Sequence, residues 1–251
     1  MNKRILILSD LHCGASTGLT PINNKWQQSD LSATLFNLYQ QWIDELGPFD
    51  IAIVNGDAID GTGDRSGGTE QITTDRLEQC DIAIECLKAT NAKQIHLIAG
   101  TPYHTGNAED FEKVIADKLG GQFHSRGFFN INGREFNLKH KIGASSVPHG
   151  RLTPLAREIL QNREWHLEGT EPLADVLIRS HVHYYEQIHH SGTLGFITSG
   201  LQGLGNKYGS RQCSGVVNFG VLAINVPNSG EITWTSRKAG GTVQATKSLS
   251  L

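Results

Sequence analysis

Cysteine is scarce in this chain. The four present, Cys13, Cys80, Cys86 and Cys213, form no C-x-x-C pair and no disulfide framework, and the amino end shows no secretory pattern. The expectation is a reducing, cytoplasmic setting. Long apolar runs are missing too: none approaches the roughly 20 residues that cross a bilayer, so no membrane is expected as a partner. Net charge is small. Twenty-two Lys and Arg against 25 Asp and Glu give −3, which excludes a global positive field for nucleic acid but leaves room for a local basic groove. Repeats and low-complexity tracts are absent. At 251 residues the chain can bury a sizeable core, and one domain over 1–251 is expected.

What the chain has in quantity is glycine, 28 residues, and histidine, 11. The glycines imply long shaped loops, and the positions of the histidines decide the functional reading. Lys3 to Leu8 reads as a strand ending in Ser9-Asp10-Leu11-His12. Residues 30–46 show helical spacing, with Ser29 or Asp30 as cap and Gly47-Pro48 as the stop. Trp26, in the loop between them, is placed over the strand ends. A second apolar strand, Ile51 to Asn55, stops at Gly56-Asp57, and a glycine-rich loop, Gly61 to Gly68, carries Asp64 and Arg65. An amphipathic helix over 73–90, capped by Thr73 or Thr74, leads to a third strand over 93–99. Its internal His96 reads as a core or sheet-face residue. Gly100 to Gly106 leaves that strand and carries His104, ahead of a helix over 108–119 beginning at Ala108.

After Gly120-Gly121 the pattern changes to alternation. Phe123 to Ile131 and Arg134 to Ile142, joined by Asn132-Gly133, predict a hairpin. On its returning strand Lys139 and Lys141 face one side and His140 the other. His149 and Arg151 read as solvated loop residues. Thr153-Pro154 opens a helix to about Leu167, capped by Thr153. Asp175 to Arg179 is a buried strand exiting into Ser180-His181-Val182-His183, and short runs then predict a mainly antiparallel second half with His189 and His190 in a turn.

Asp10, His12, Asp57, His104, His140, His181 and His183 thus stand at or beside strand exits. Imidazole and carboxylate together suit manganese, iron, cobalt, nickel or zinc better than calcium, and so many donors suit two divalent ions rather than one. In-line displacement at phosphorus is the chemistry that uses such a pair, with His104 as the acid for the leaving group.

In that order and spacing, Asp10-x-His12, Gly56-Asp57-x-x-Asp60, the Gly100 loop, His140 and His181-x-His183 resemble the calcineurin-like metallophosphoesterase superfamily over about residues 3–200. The resemblance implies an α/β fold, a four-layer α/β/β/α sandwich of two mixed β-sheets flanked by helices. It implies two metal ions, manganese first, with Asp10, His12 and His183 on one, His140 and His181 on the other, and Asp57 bridging. It also implies a phosphate-ester substrate, with a lean toward phosphodiesters of the nucleotide or nucleic-acid kind because of Gly56-Asp57-x-x-Asp60. One motif departs. Where the family has Gly-Asn-His-Asp or Gly-Asn-His-Glu, this chain has Gly100-Thr101-Pro102-Tyr103-His104, a variant similar to loops of bacteriophage and prophage phosphoesterases. Three alternatives follow: Thr101 or a water replaces the asparagine, His104 becomes a metal ligand, or the second site is weak. Lys207, Tyr208 and Arg211 offer a phosphate contact or simply a long loop. The competing readings are a catalytically silent scaffold of the same fold, against which the ordered ligand set argues, and metal-dependent amide hydrolysis.

Overall fold

The computed structural model describes residues 1–23, 25–64, 66–106, 109–145, 147–204 and 217–240. In chain order its elements are β1 (Lys3–Leu8), α1 (Asp30–Leu46), β2 (Ile51–Asn55), α2 (Arg76–Lys88), β3 (Gln94–Ile98), α3 (Pro102–Thr105), α4 (Phe111–Leu119) and β4 (Gln122–His124). There follow β5 (Gly127–Ile131), β6 (Arg134–Lys141), α5 (Thr153–Leu167), β7 (Val176–Ser180), β8 (Glu186–His190), β9 (Thr193–Ile197), β10 (Asn218–Val226) and β11 (Thr233–Gly240). One sheet has the order β11-β10-β1-β2-β3-β4 and the other β5-β6-β7-β9-β8. Both are mixed: β1 to β4 run parallel with β10 antiparallel at β1, and β6, β7 and β9 run parallel between antiparallel β5 and β8.

The near-continuous apolar character of β1 and β2 follows from burial on both faces. Leu6, Leu8, Ala52, Val54 and Leu97 pack with Leu35, Trp42, Ile82 and Ile115 of the covering helices. Ile5, Ile7, Ile53 and Ile98, one residue out of phase, meet Phe136, Leu138, Val176, Ile178 and Phe196 of the second sheet. Each such side chain contributes about 1.5–3 kcal/mol on burial, so a slip of one residue in any central strand is strongly opposed. Leu155 of α5 with Ile142, Tyr184 and Ile197 closes the outer face of the second sheet. The four layers α/β/β/α are those expected. Trp26 is buried in the first helix-covered core and donates its indole N–H to Glu78 at 3.1 Å. Among the described residues no helix is long and apolar enough to cross a membrane.

Several local expectations are corrected. Residues 122–131 are not one hairpin arm: β4 joins β3 in the first sheet and β5 starts afresh in the second, the chain crossing between sheets at Ser125-Arg126. The second half is mainly antiparallel, as expected, with β8 against β9, β10 against β11 and β10 against β1, while β9 pairs in parallel with β7. His189 and His190 are paired residues of β8, opposite Leu194 and Thr193. The α2 cap is Asp75, whose carboxylate accepts from the Leu77 and Glu78 amides, and neither Thr73 nor Thr74 takes that place. Leu152, not Thr153, caps α5, with no side-chain cap bond. Helix α4 begins at Phe111, and Ala108, Arg65, Lys207, Tyr208, Arg211 and Cys213 lie outside the described residues. Arg151 stacks over the Tyr184 ring, 5.0 Å from its centroid.

His96 pairs with His124 across β3 and β4, Nδ1 to Nε2 at 3.2 Å, against the Phe129 ring. Burial depresses both imidazoles, helped at His96 by the neighbouring ring. Their folded values lie below the unfolded value of about 6.5, so the unfolded chain takes up more protons as pH falls. The contribution to stability is present above that pH and lost as pH falls through the folded values. Denaturant midpoints should therefore drop between about pH 7.5 and 5.5, and the drop should shrink in His124→Gln, the difference cancelling the titration of every other group.

Candidate metal centre

The candidate ligands emerge where parallel strands of both sheets end. Asp10 and His12 follow β1, Asp57 follows β2, His140 lies at the end of β6, and His181 and His183 follow β7. The loops after β1 and β2 are zipped together by Asp10 N–H to Gly56 O (3.0 Å), His12 N–H to Asp57 O (3.1 Å) and Cys13 N–H to Ala58 O (3.1 Å). Asp10, His12, Asp57, His181 and His183 all have left-handed backbone, with φ of 52°, 45°, 50°, 76° and 54°. The other described non-glycine residues with positive φ are Asn91, Asn132 and Ser191, in turns. This conformation costs an L-residue about 1–2 kcal/mol. Its effect is to turn each side chain back over the sheet edge. A bulge does the same for β6, which has one residue more than β7 between Leu138 and Lys141, around His140.

These side chains form two donor sets. Asp10 Oδ1 is 3.2 Å from His183 Nε2 and 4.0 Å from His12 Nε2, and the two imidazole nitrogens are 3.2 Å apart. In the second set Asp57 Oδ2 is 3.0 Å from His140 Nε2 and 3.8 Å from His181 Nδ1, with Asp10 Oδ1 3.8 Å from His140 Nε2. By distance Asp10 is within reach of both sets, and Asp57, which the resemblance makes the bridging ligand, is within reach of the second. Asp10, His12, Asp57 and His140 are at most 3% exposed. Asp10 Oδ1 and His140 Nε2 are buried without a hydrogen-bond partner, at the middle of the cluster. Orphaned donor atoms converging in this way fit a divalent cation, and the mixed nitrogen and oxygen set suits a borderline one.

The electrostatics favour positive charge there. Burial opposes the charge on His140, yet the Asp10 and Asp57 carboxylates carry it up to about 9. His12 is likewise raised against burial, chiefly by Asp60. Burial pushes Asp10 and Asp57 up, and the surrounding histidines more than reverse it, holding both well below the usual carboxylate range.

A further layer orients these groups. His12 Nδ1–H donates to Asp60 Oδ1 at 2.9 Å, and Asp60 Oδ2 accepts from Gln71 Nε2 at 2.6 Å. His140 Nδ1–H donates to Asn55 O at 2.6 Å. Each ring therefore keeps Nε2 for the centre, the arrangement that fixes the tautomer of metal-binding histidines. Thr101 donates to Asp57 Oδ1 through its backbone N–H (2.6 Å) and hydroxyl (3.1 Å), so the residue in the asparagine's place braces the carboxylate. Gly56 and Gly100 make this approach possible: a Cβ on Gly56 would stand 2.4 Å from the His140 ring, and one on Gly100 2.3 Å from Asp57 Oδ1.

His104 stands beside the first set, its ring centroid 4.5 Å from that of His12 and its Nδ1–H donating to the Asp60 carbonyl at 2.7 Å. Burial, with His12 second, lowers its pKa. Asp60, His12 and His104 form a third close group. Glu112 of α4 is wholly buried and accepts from Ala58 N–H at 3.4 Å; burial holds it up to about 8. Nothing in its helical spacing signals this. Asn55 and Gln71 were missed for the same reason: their roles depend on contacts 85 and 11 residues away.

No protein family description and no curated protein matches the chain. Solved structures resemble it at low identity. Vacuolar protein sorting 29 from Cryptosporidium parvum is 12% identical, with 95% of this chain and 98% of that one covered and a TM-score of 0.48. An archaeal phosphodiesterase is 13% identical, with 93% and 99% covered and a TM-score of 0.47. A conserved predicted phosphoesterase from Streptococcus pneumoniae is 11% identical, with 96% and 98% covered and a TM-score of 0.43. These are likenesses only, and the chemistry of the centre stands on its own residues.

Proposed function

We propose that this chain is a metal-dependent phosphoesterase of the calcineurin-like kind, hydrolysing phosphodiesters in preference to monoesters. The observation that carries the reading is the left-handed backbone at five of six candidate ligands, enclosing two orphaned buried donor atoms. Strain concentrated on one set of residues marks a site whose function repays it. Asp10, His12 and His183 would hold one divalent ion, and Asp57, His140 and His181, with Asp10 shared, the other. Two such ions supply Lewis-acid polarisation of phosphoryl oxygens and a water made nucleophilic at neutral pH. Manganese, iron, cobalt, nickel and zinc all suit the donors.

The chain's own residues do the rest. His12, His104, His181 and His183 line a cavity of about 280 Å3 together with Tyr103, Gln202 and Leu204. His104 is the proton-transfer group: with Nδ1–H tied to the Asp60 carbonyl, proton exchange with the ester's leaving oxygen occurs at Nε2. Asp60 is the positioning residue for both His12 and His104. The buried free thiols of Cys13, Cys80 and Cys86 support a reducing, cytoplasmic setting.

The test is hydrolysis of bis-p-nitrophenyl phosphate and p-nitrophenyl phosphate by metal-stripped protein, before and after manganese is restored. Turnover of the diester only with metal, reduced about 10²–10⁴-fold in His104→Ala, is the expected result. Metal-independent turnover, or bound metal with no hydrolysis of any phosphate ester, would count against the proposal and favour the silent scaffold.

A further inference from the structure

A second cleft, of about 870 Å3, opens on the other side of the loop that carries His104. It shares Tyr103, His104, His181 and Val182 with the first cavity, so the two adjoin at His104 and His181. Its own lining adds Thr101, Ser125, Ala144 and two cations, Lys139 and Lys141. These lysines flank buried His140 on β6 and are exposed, and all three residues line the cleft. Two strand positions apart, the lysine Cα atoms are separated by roughly 7 Å.

Four of the seven other described lysines are paired, and Lys3, Lys88 and Lys238 are in no ion pair among the described residues. Lys25, Lys93, Lys113 and Lys118 lie 3.6, 2.8, 3.0 and 2.8 Å from carboxylates. Lys139 and Lys141 have no ion-pair partner among the described residues. On a chain whose net charge is −3, two exposed cations side by side on one strand bring local positive charge to a cleft that also borders His104.

We infer that this cleft is the subsite for a second phosphate: the substrate is a phosphodiester one of whose substituents carries a further phosphate group, held by Lys139 and Lys141 while the scissile phosphate lies at the His104 wall. The inference rests on the phosphodiesterase reading and narrows it. An oligonucleotide strand and a nucleotide with a polyphosphate tail share this chemistry. The two-armed opening accounts for a diester, since a monoester has only one substituent to place.

The experiment compares a nucleoside p-nitrophenyl phosphodiester with the same compound bearing one more phosphate on its ribose, using manganese-loaded protein. The wild type should prefer the phosphate-bearing substrate by about tenfold in kcat/KM, through KM, with the preference falling as salt rises. In the Lys139→Gln/Lys141→Gln variant the ratio should approach one, and Lys139→Arg/Lys141→Arg should retain it. Binding of the nucleoside bisphosphate to metal-free protein, followed by calorimetry, should weaken in parallel in the glutamine variant. Inhibition by a short single-stranded oligonucleotide and by a dinucleoside polyphosphate tells the two sources apart, the stronger lysine-dependent inhibitor naming the source. Equal kcat/KM for both substrates in the wild type, or a preference that survives the glutamine variant, overturns the subsite while leaving the diesterase reading intact. Failure to turn over any diester overturns both.

Discussion

Asp10→Asn is expected to cost about 10³-fold or more in metal-dependent kcat/KM, which corresponds to about 4 kcal/mol of transition-state stabilisation. Asp10 is the single residue common to both donor sets, and its Oδ1 is the unpartnered oxygen nearest His183, His140 and His12. An amide there removes one negative charge and offers a much poorer metal ligand. Asparagine is the informative replacement because it tolerates the left-handed backbone at φ 52° better than other side chains do. Its carbonyl oxygen can also keep the bond that Oδ2 accepts from the His181 N–H at 3.2 Å. The folded state should therefore survive, and calorimetric titration with manganese should show weakened binding across the whole centre rather than loss at one site. Retention of two tight sites by the variant would remove Asp10 from its shared position.

Arg179→Ala is expected to lower unfolding free energy by about 3–5 kcal/mol. Arg179 is 1% exposed, lies inside β7, and donates to Glu158 Oε2 of α5 at 2.5 Å and to the Asn137 and Ile178 carbonyls at 3.0 and 2.8 Å. Truncation strands the Glu158 carboxylate under the helix without its countercharge. Replacing both partners, Arg179→Met with Glu158→Leu, should recover much of the loss, because an apolar pair carries no desolvation cost. Urea unfolding of both single variants and the double variant gives the coupling directly. The strand so anchored delivers His181 and His183 immediately beyond Ser180, so manganese affinity should weaken in Arg179→Ala and return in the double variant. A loss below about 1 kcal/mol in Arg179→Ala would show that the pair does not hold α5 to the sheet.

The strands that deliver the ligands were legible because burial on both faces forces a near-continuous apolar run, and each run gives way to polar residues at the sheet edge. Val54-Asn55-Gly56-Asp57 and Ile178-Arg179-Ser180-His181 show both the run and the break. The β4/β5 division has one local mark, the Ser125-Arg126-Gly127 interruption between Phe123 and Phe128, but no local pattern says which sheet a strand joins. The same limit hid the parallel pairing of β7 with β9.

Through the resemblance its motifs carry the sequence implied the four layers, and by itself it determined the strand exits and singled out Asp10, His12, Asp57, His104, His140, His181 and His183 as the group to watch. Local patterning carries that information, since strand ends and hydrophobic period are properties of neighbouring residues. Only the tertiary structure decided that Asp10 lies within reach of both donor sets, that Thr101 braces Asp57, that Asp60 accepts from both His12 and His104, and that Lys139 and Lys141 line a cleft that also borders His104. Those are distances between side chains on different strands of two sheets, set by how far each left-handed exit turns its residue over the edge. No spacing along the chain encodes them.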